Sequence, residues 1–169
     1  MEKMKELWEQ VKALIDENRI DCVVKLCESL NIDMYDNIVN KLIMELKSTL
    51  NVQHRNTIAI VLGDLKCNSA IKPLIELIKN PQNKRCIGSL IYSLQELDCG
   101  NVIKEIIPVL YKGNYEARNM LYVLLEIKIK EISEQDKRIC IDLLKKGKGE
   151  LEEILEDVDS ALDILHENL

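Results

Sequence analysis

Residues 62–78, LGDLKCNSAIKPLIELI, and residues 94–110, LQELDCGNVIKEIIPVL, carry one apolar pattern twice, with each matched pair 32 residues apart (94 − 62 = 32). Leu62 aligns with Leu94, Leu65 with Leu97, Cys67 with Cys99, Ile71 with Ile103, Leu74 with Ile106 and Ile75 with Ile107. A period of this size constrains the fold strongly. A helical pair of that length cannot bury its apolar face alone and must stack on a neighbour. A weaker third copy, RNMLYVLLEI at 118–127, overlays RNTIAIVLGD at 55–64. Matching arginines would set Arg85 against Arg55, whereas the apolar register sets Ile87 there. We follow the apolar register, because burial fixes which face points inward while an exposed arginine tolerates a shift.

The chain of 169 residues is long enough for one domain with a core. It contains no phenylalanine and only 4% aromatics, so Leu, Ile and Val must fill that core. No run of 18 apolar residues is present to span a membrane, and the N-terminus mixes charge with apolar residues, unlike a signal peptide. The six cysteines form no C-x-x-C pair, and several lie on apolar stripes; they read as reduced thiols of a cytosolic protein. Charge is segregated. Eight of the 29 acids fall within 149–169, where there is no Lys or Arg, and the other 21 face 23 basic residues in 1–148. A clustered basic face for phosphate is therefore missing.

Taken in order, residues 1–51 read as N-terminal helices over about 2–17, 20–30 and 34–50, the third turning Ile38, Leu42, Ile43, Leu46 and Leu50 inward. Asn31 and Asp33 supply turn and cap chemistry, and Asn51 can cap the next helix. Residues 52–146 read as three helical pairs: 52–66 with 69–79, 84–98 with 101–112, and 115–130 with 134–146. Pro108 predicts a bend within its helix, and Ser133 followed by Asp136 resembles a capping box. Gly147-Lys148-Gly149 predicts a stop. A final acidic helix within 149–169 would then bury Leu151, Ile154, Leu155, Val158, Leu162 and Leu165 on the last pair. No segment shows sustained strand alternation, so the fold class is all-α, about ten helices in antiparallel pairs forming an α-α superhelix.

The run from Arg55 to Ile75, R-x(6)-L-G-x-L-x(4)-A-I-x-P-L-I, resembles the HEAT-like repeat named after phycobiliprotein lyases. In that family the second helix of each pair lines the concave, ligand-facing side. The resemblance therefore implies that Lys72, Glu76, Lys104, Pro108, Asp142 and Lys145 lie inside the curve. Asn80 and Asn114 stand where such repeats often carry an aspartate, so the carboxylate of the usual inter-repeat ion pair is replaced by an amide. More narrowly, residues 85–118 are similar to stretches of HEAT-like immunity proteins encoded beside contact-dependent and other polymorphic bacterial toxins.

The chemistry available is thin. His54 and His166 are the two histidines, and nothing places either beside Cys86 as a base. There is no P-loop, no dinucleotide fingerprint and no metal-ligand spacing with histidine, so we read the chain as non-enzymatic, with no cofactor or metal. Lysines 72, 79, 104 and 112 are interspersed with Glu76, Glu105 and Asp142, which argues against a nucleic-acid groove. The outward row Glu152, Glu153, Glu156, Asp159 and Asp163 can attract a basic protein, and the same pattern fits a terminal cap with a polar outer face. Tyr92, Tyr111 and Tyr115 are candidate aromatic anchors. The expected function is binding of a protein partner: most specifically an immunity protein against a basic toxin, alternatively a scaffold for a larger complex.

Overall fold

The computed structural model describes residues 2–166, and every regular element among them is helical. Nine α-helices run in order: α1 (Glu2–Asp16), α2 (Ile20–Glu28), α3 (Ile32–Ser48), α4 (Val52–Asp64), α5 (Ile71–Lys79), α6 (Gly88–Tyr92), α7 (Val109–Lys112), α8 (Tyr115–Lys128) and α9 (Glu134–His166). Short 3₁₀ turns lie at Asn68–Ala70, Pro81–Asn83 and Ile103–Glu105. Asparagine starts three of the helices. Asn31, Asn51 and Asn114 accept from the amides of Met34, His54 and Ala117 at 3.0, 3.2 and 2.9 Å, satisfying donors the helix leaves open. At the end of α1, Asn18 takes a left-handed conformation (φ 55°), and Arg19 N–H returns to the Leu14 carbonyl at 2.9 Å. This is the Schellman closure that the Asn18-Arg19 break requires.

The repeated positions are the core. Leu62, Leu74, Leu94, Leu97, Cys99, Ile103 and Ile107 are fully buried, and Ile106 and Ile75 nearly so. Each buried aliphatic chain contributes roughly 1.5–3 kcal/mol relative to exposure. Helix α4 lies centrally, against α1, α2, α3 and α6; α8 packs on α6 and α7; α9 touches α7 and the 103–105 turn. Polar links join successive pairs at nearly the sequence period. Asn68 and Asp98 exchange two hydrogen bonds (2.6 and 3.0 Å), and Asn114 donates to the Arg85 carbonyl at 3.2 Å. Arg55 is buried rather than exposed; its guanidinium donates to the Asn83 side chain at 2.5 Å and the Cys86 carbonyl at 3.1 Å. Neutral acceptors thus take the place of an inter-pair aspartate.

Three expectations are corrected. Helix α3 ends at Ser48, with Thr49 extended, so Leu50 falls in the linker and is 98% exposed instead of turned inward. The second pair contains only the short helices α6 and α7, not helices over 84–98 and 101–112. Its remainder winds through i→i+3 bonds such as Leu94 N–H to Ile91 O and Leu97 N–H to Leu94 O, both 3.1 Å. Two contacts explain this tightening. The Ser93 carbonyl seats on Gly63, where a Cβ would lie 2.6 Å from it, and Ser93 Oγ donates to Ser89 O at 2.7 Å, competing with the ladder. Pro108, lacking an amide hydrogen, precedes α7 as a break instead of bending a longer helix.

The third correction is the largest. Gly147-Lys148-Gly149 does not stop α9, which runs unbroken for 33 residues, about 50 Å at 1.5 Å per residue. Gly147 serves packing: a Cβ there would stand 2.5 Å from the Tyr111 ring. Two mid-helix glycines cost about 1 kcal/mol each, too little to end a helix flanked by good formers. The segment from Leu151 to His166 is consequently exposed along its whole length and does not dock on the last pair.

Candidate partner-binding surfaces

Two surfaces combine apolar area with charge. The first is the exposed C-terminal half of α9. Leu151, Leu155, Val158, Leu162 and Leu165, spaced 4-3-4-3, form a heptad seam with Ile154 beside it, at exposures from 46 to 64%. A contiguous exposed apolar stripe of this kind marks an interaction site or an aggregation liability. The acids Glu152, Glu153, Glu156, Asp157, Asp159 and Asp163 occupy the remaining faces, all exposed, with Lys148 touching Glu152 at 3.4 Å. Glu150, at the root, reaches Lys112 of α7 at 3.4 Å. Glu167, the eighth acid, lies outside the described residues.

The second surface is a groove along α5 and the second pair. One part, of about 620 Å³, is lined by Ile71, Lys72, Ile75, Glu76, Lys79, Asn80, Val102 and Glu105. A neighbouring part of about 390 Å³ continues past Lys84, Pro108 and Val109 to Lys112, sharing Lys79, Asn80 and Glu105 with the first. Its floor is aliphatic and its rim mostly lysine, with Lys79 tied to Glu105 at 2.8 Å. Of the residues that the repeat resemblance implied for the concave side, Lys72, Glu76 and Pro108 meet here. Lys104 does not line it; its ammonium sits 2.5 Å from Asp136 and joins the second pair to α9. Asp142 and Lys145 are exposed on α9. Tyr92 and Tyr115 are exposed at 45 and 75%, while Tyr111 packs on Gly147, with Lys112 5.2 Å from its ring centre. Lys79 and Lys84, which complete the rim, were legible only as scattered lysines, because their convergence depends on how the turn at 81–83 folds.

Remaining polar clusters are structural in form. The His54 ring, largely buried, lies between Asp16 (2.7 Å) and Glu45 (3.5 Å) and ties α4 to α1 and α3. The Cys86 thiol receives an Arg55 N–H at 3.2 Å and donates to Asn83 O at 3.4 Å, so its polar neighbours among the described residues include no base. Burial pushes the Cys27 and Cys99 thiols up to about 11, away from the thiolate a nucleophile requires. Among the described residues no three His, Cys, Asp or Glu side chains gather to hold a metal ion, and no helix is long and apolar enough to cross a membrane. Comparison with protein-family models, curated proteins and solved structures finds no match to this chain.

Proposed function

We propose that this chain is a non-enzymatic protein-binding module, a HEAT-like solenoid, and that its partner is basic. One observation carries the reading: an exposed amphipathic helix that sets an apolar seam beside six acids, with no Lys or Arg between residues 151 and 166. Apolar burial supplies affinity in such a contact, and the acids steer a cationic surface toward it. In its most specific form the module is a cytoplasmic immunity protein that covers a basic bacterial toxin, for which a nuclease is the natural candidate. The links between successive pairs, spanning 30 and 32 residues, and the local similarity at 85–118 support that form. The groove favours a second reading, a scaffold that holds a component of a larger assembly between α5 and α7.

The test is a pull-down from the native host, eluted with a salt gradient and identified by mass spectrometry. One basic protein retained in stoichiometric amount until high salt supports the immunity reading, and E152K/E153K/E156K then abolishes its capture. Capture that survives this triple change moves the site to the groove. Several weakly held proteins, or none, end the toxin reading and leave the scaffold.

A further inference from the structure

The tail and the groove are complementary to one another. The tail offers an apolar seam in an acidic helix; the groove offers an aliphatic floor, formed by Ile75, Val102 and Val109 among others, beneath a lysine rim. Lys72, on the first part of the groove, and Lys84, on the second, are exposed and make no ion pair among the described residues. The chain already contains one contact of this chemistry, since Glu150 of the tail root meets Lys112 of the rim at 3.4 Å. We propose that the helix from Leu151 to His166 of one molecule docks in the lysine-rimmed groove of a second copy, giving a self-associated form through tail-in-groove contacts.

Geometry selects a second copy over the molecule's own groove. Helix α9 is continuous through Gly149, and Gly147 is pressed on the Tyr111 ring, so each tail leaves the Lys112 end of its own groove and stays clear of the body. Folding back would break at least a turn of helix, whereas docking on another molecule needs no change of backbone. Charge selects the groove over a second tail. In a tail–tail coiled coil Glu152 and Asp159 would flank the seam on both helices, with no lysine or arginine between 149 and 166 to offset them. Against the groove, the same acids face Lys72, Lys79, Lys84 and Lys112. The docked tail loses its apolar seam to the groove floor, and a hetero-partner must compete with this contact.

This contact uses the tail of the proposed function but requires no toxin, and it is tested on the purified full chain by sedimentation velocity over a wide range of concentration. The expected result is a mass that rises above the monomer with concentration and falls back as salt is raised. Val158→Glu with Leu162→Glu in the tail, and separately Lys72→Glu with Lys84→Glu in the groove, each leave the protein monomeric. All four residues are exposed, and unchanged circular dichroism and melting establish that the variants fold. The deciding result is the mixture: each variant retains one intact half, so the two together form a one-to-one complex that neither forms alone. A monomer at every concentration overturns the proposal. So does association that survives the groove changes, the signature of tail–tail pairing, or a mixture that fails to complement. Host-protein capture with a monomeric chain would sink this contact alone; self-association without host capture would sink only the first reading.

Discussion

Asp136 receives the Lys104 ammonium on one carboxylate oxygen and the Ser133 hydroxyl, at 3.0 Å, on the other. Its backbone N–H in turn donates to Ser133 Oγ at 3.1 Å, so the capping chemistry legible in the sequence is present and has gained a lysine from the preceding pair. The Lys104 bond, then the Ser133 bond, hold this carboxyl below the ordinary carboxylate range. The folded chain therefore binds that proton less readily than the unfolded chain does. The resulting stability is present above the unfolded value, about pH 4, and is lost as pH falls through the lowered folded value. Asp136→Asn is expected to lower the urea midpoint at neutral pH and to converge with the parent protein as pH falls through the lowered folded value. Parallel curves through the acid range would show that the link contributes nothing. Arg55 teaches the opposite lesson about single residues. Nothing in the spacing marks Asn83 or the Cys86 carbonyl as acceptors, so a buried arginine bonded through its terminal nitrogens was indistinguishable from an exposed one.

At the scale of elements, apolar periodicity and asparagine caps located α1 to α5 and α8 closely, because both signals are local. The second pair escaped because its form depends on a neighbour: Ser93 sits against Gly63, 30 residues away, and no window of sequence contains both (93 − 63 = 30). Its apolar residues stay buried even without full α-helical geometry, so pattern specified burial where it did not specify the ladder. Glycine was misread in the same way. Two glycines near the end of a periodic stretch resemble a stop, yet they play different parts in α9. A methyl group at Gly147 meets the Tyr111 ring, while one at Gly149 meets nothing outside its own stretch of helix within 4 Å. Gly147→Ala is expected to destabilise the protein by about 1–3 kcal/mol through overpacking. Gly149→Ala is expected to stabilise α9 by about 0.5–1 kcal/mol through helix propensity. Chemical denaturation of the two variants checks both signs; equal effects would mean that the Tyr111 contact does not set the packing of α9.

The whole molecule divides into a stacked body and a helix that leaves it. Because residues 151–166 bury nothing in the body, ending the chain after Glu150, which keeps the Lys112 ion pair, is expected to leave its unfolding free energy within about 0.5 kcal/mol at low protein concentration. The same truncation should remove partner capture and self-association together. A large loss of stability would mean that the tail packs on the body after all. The sequence by itself determined the all-helical class, the apolar residues shared by successive pairs and the gathering of acids at the C-terminal end. Each of these follows from hydrophobic spacing or charge, which are written along the chain. Only the tertiary structure decided that Arg55 is buried, that Lys104 is spent on Asp136, that four lysines rim one groove and that the acidic helix is exposed along its length. Those outcomes rest on contacts between segments distant in sequence, such as the 28 residues from Arg55 to Asn83 and the 32 from Lys104 to Asp136, where shape and the availability of a hydrogen-bond partner decide and periodicity carries no information.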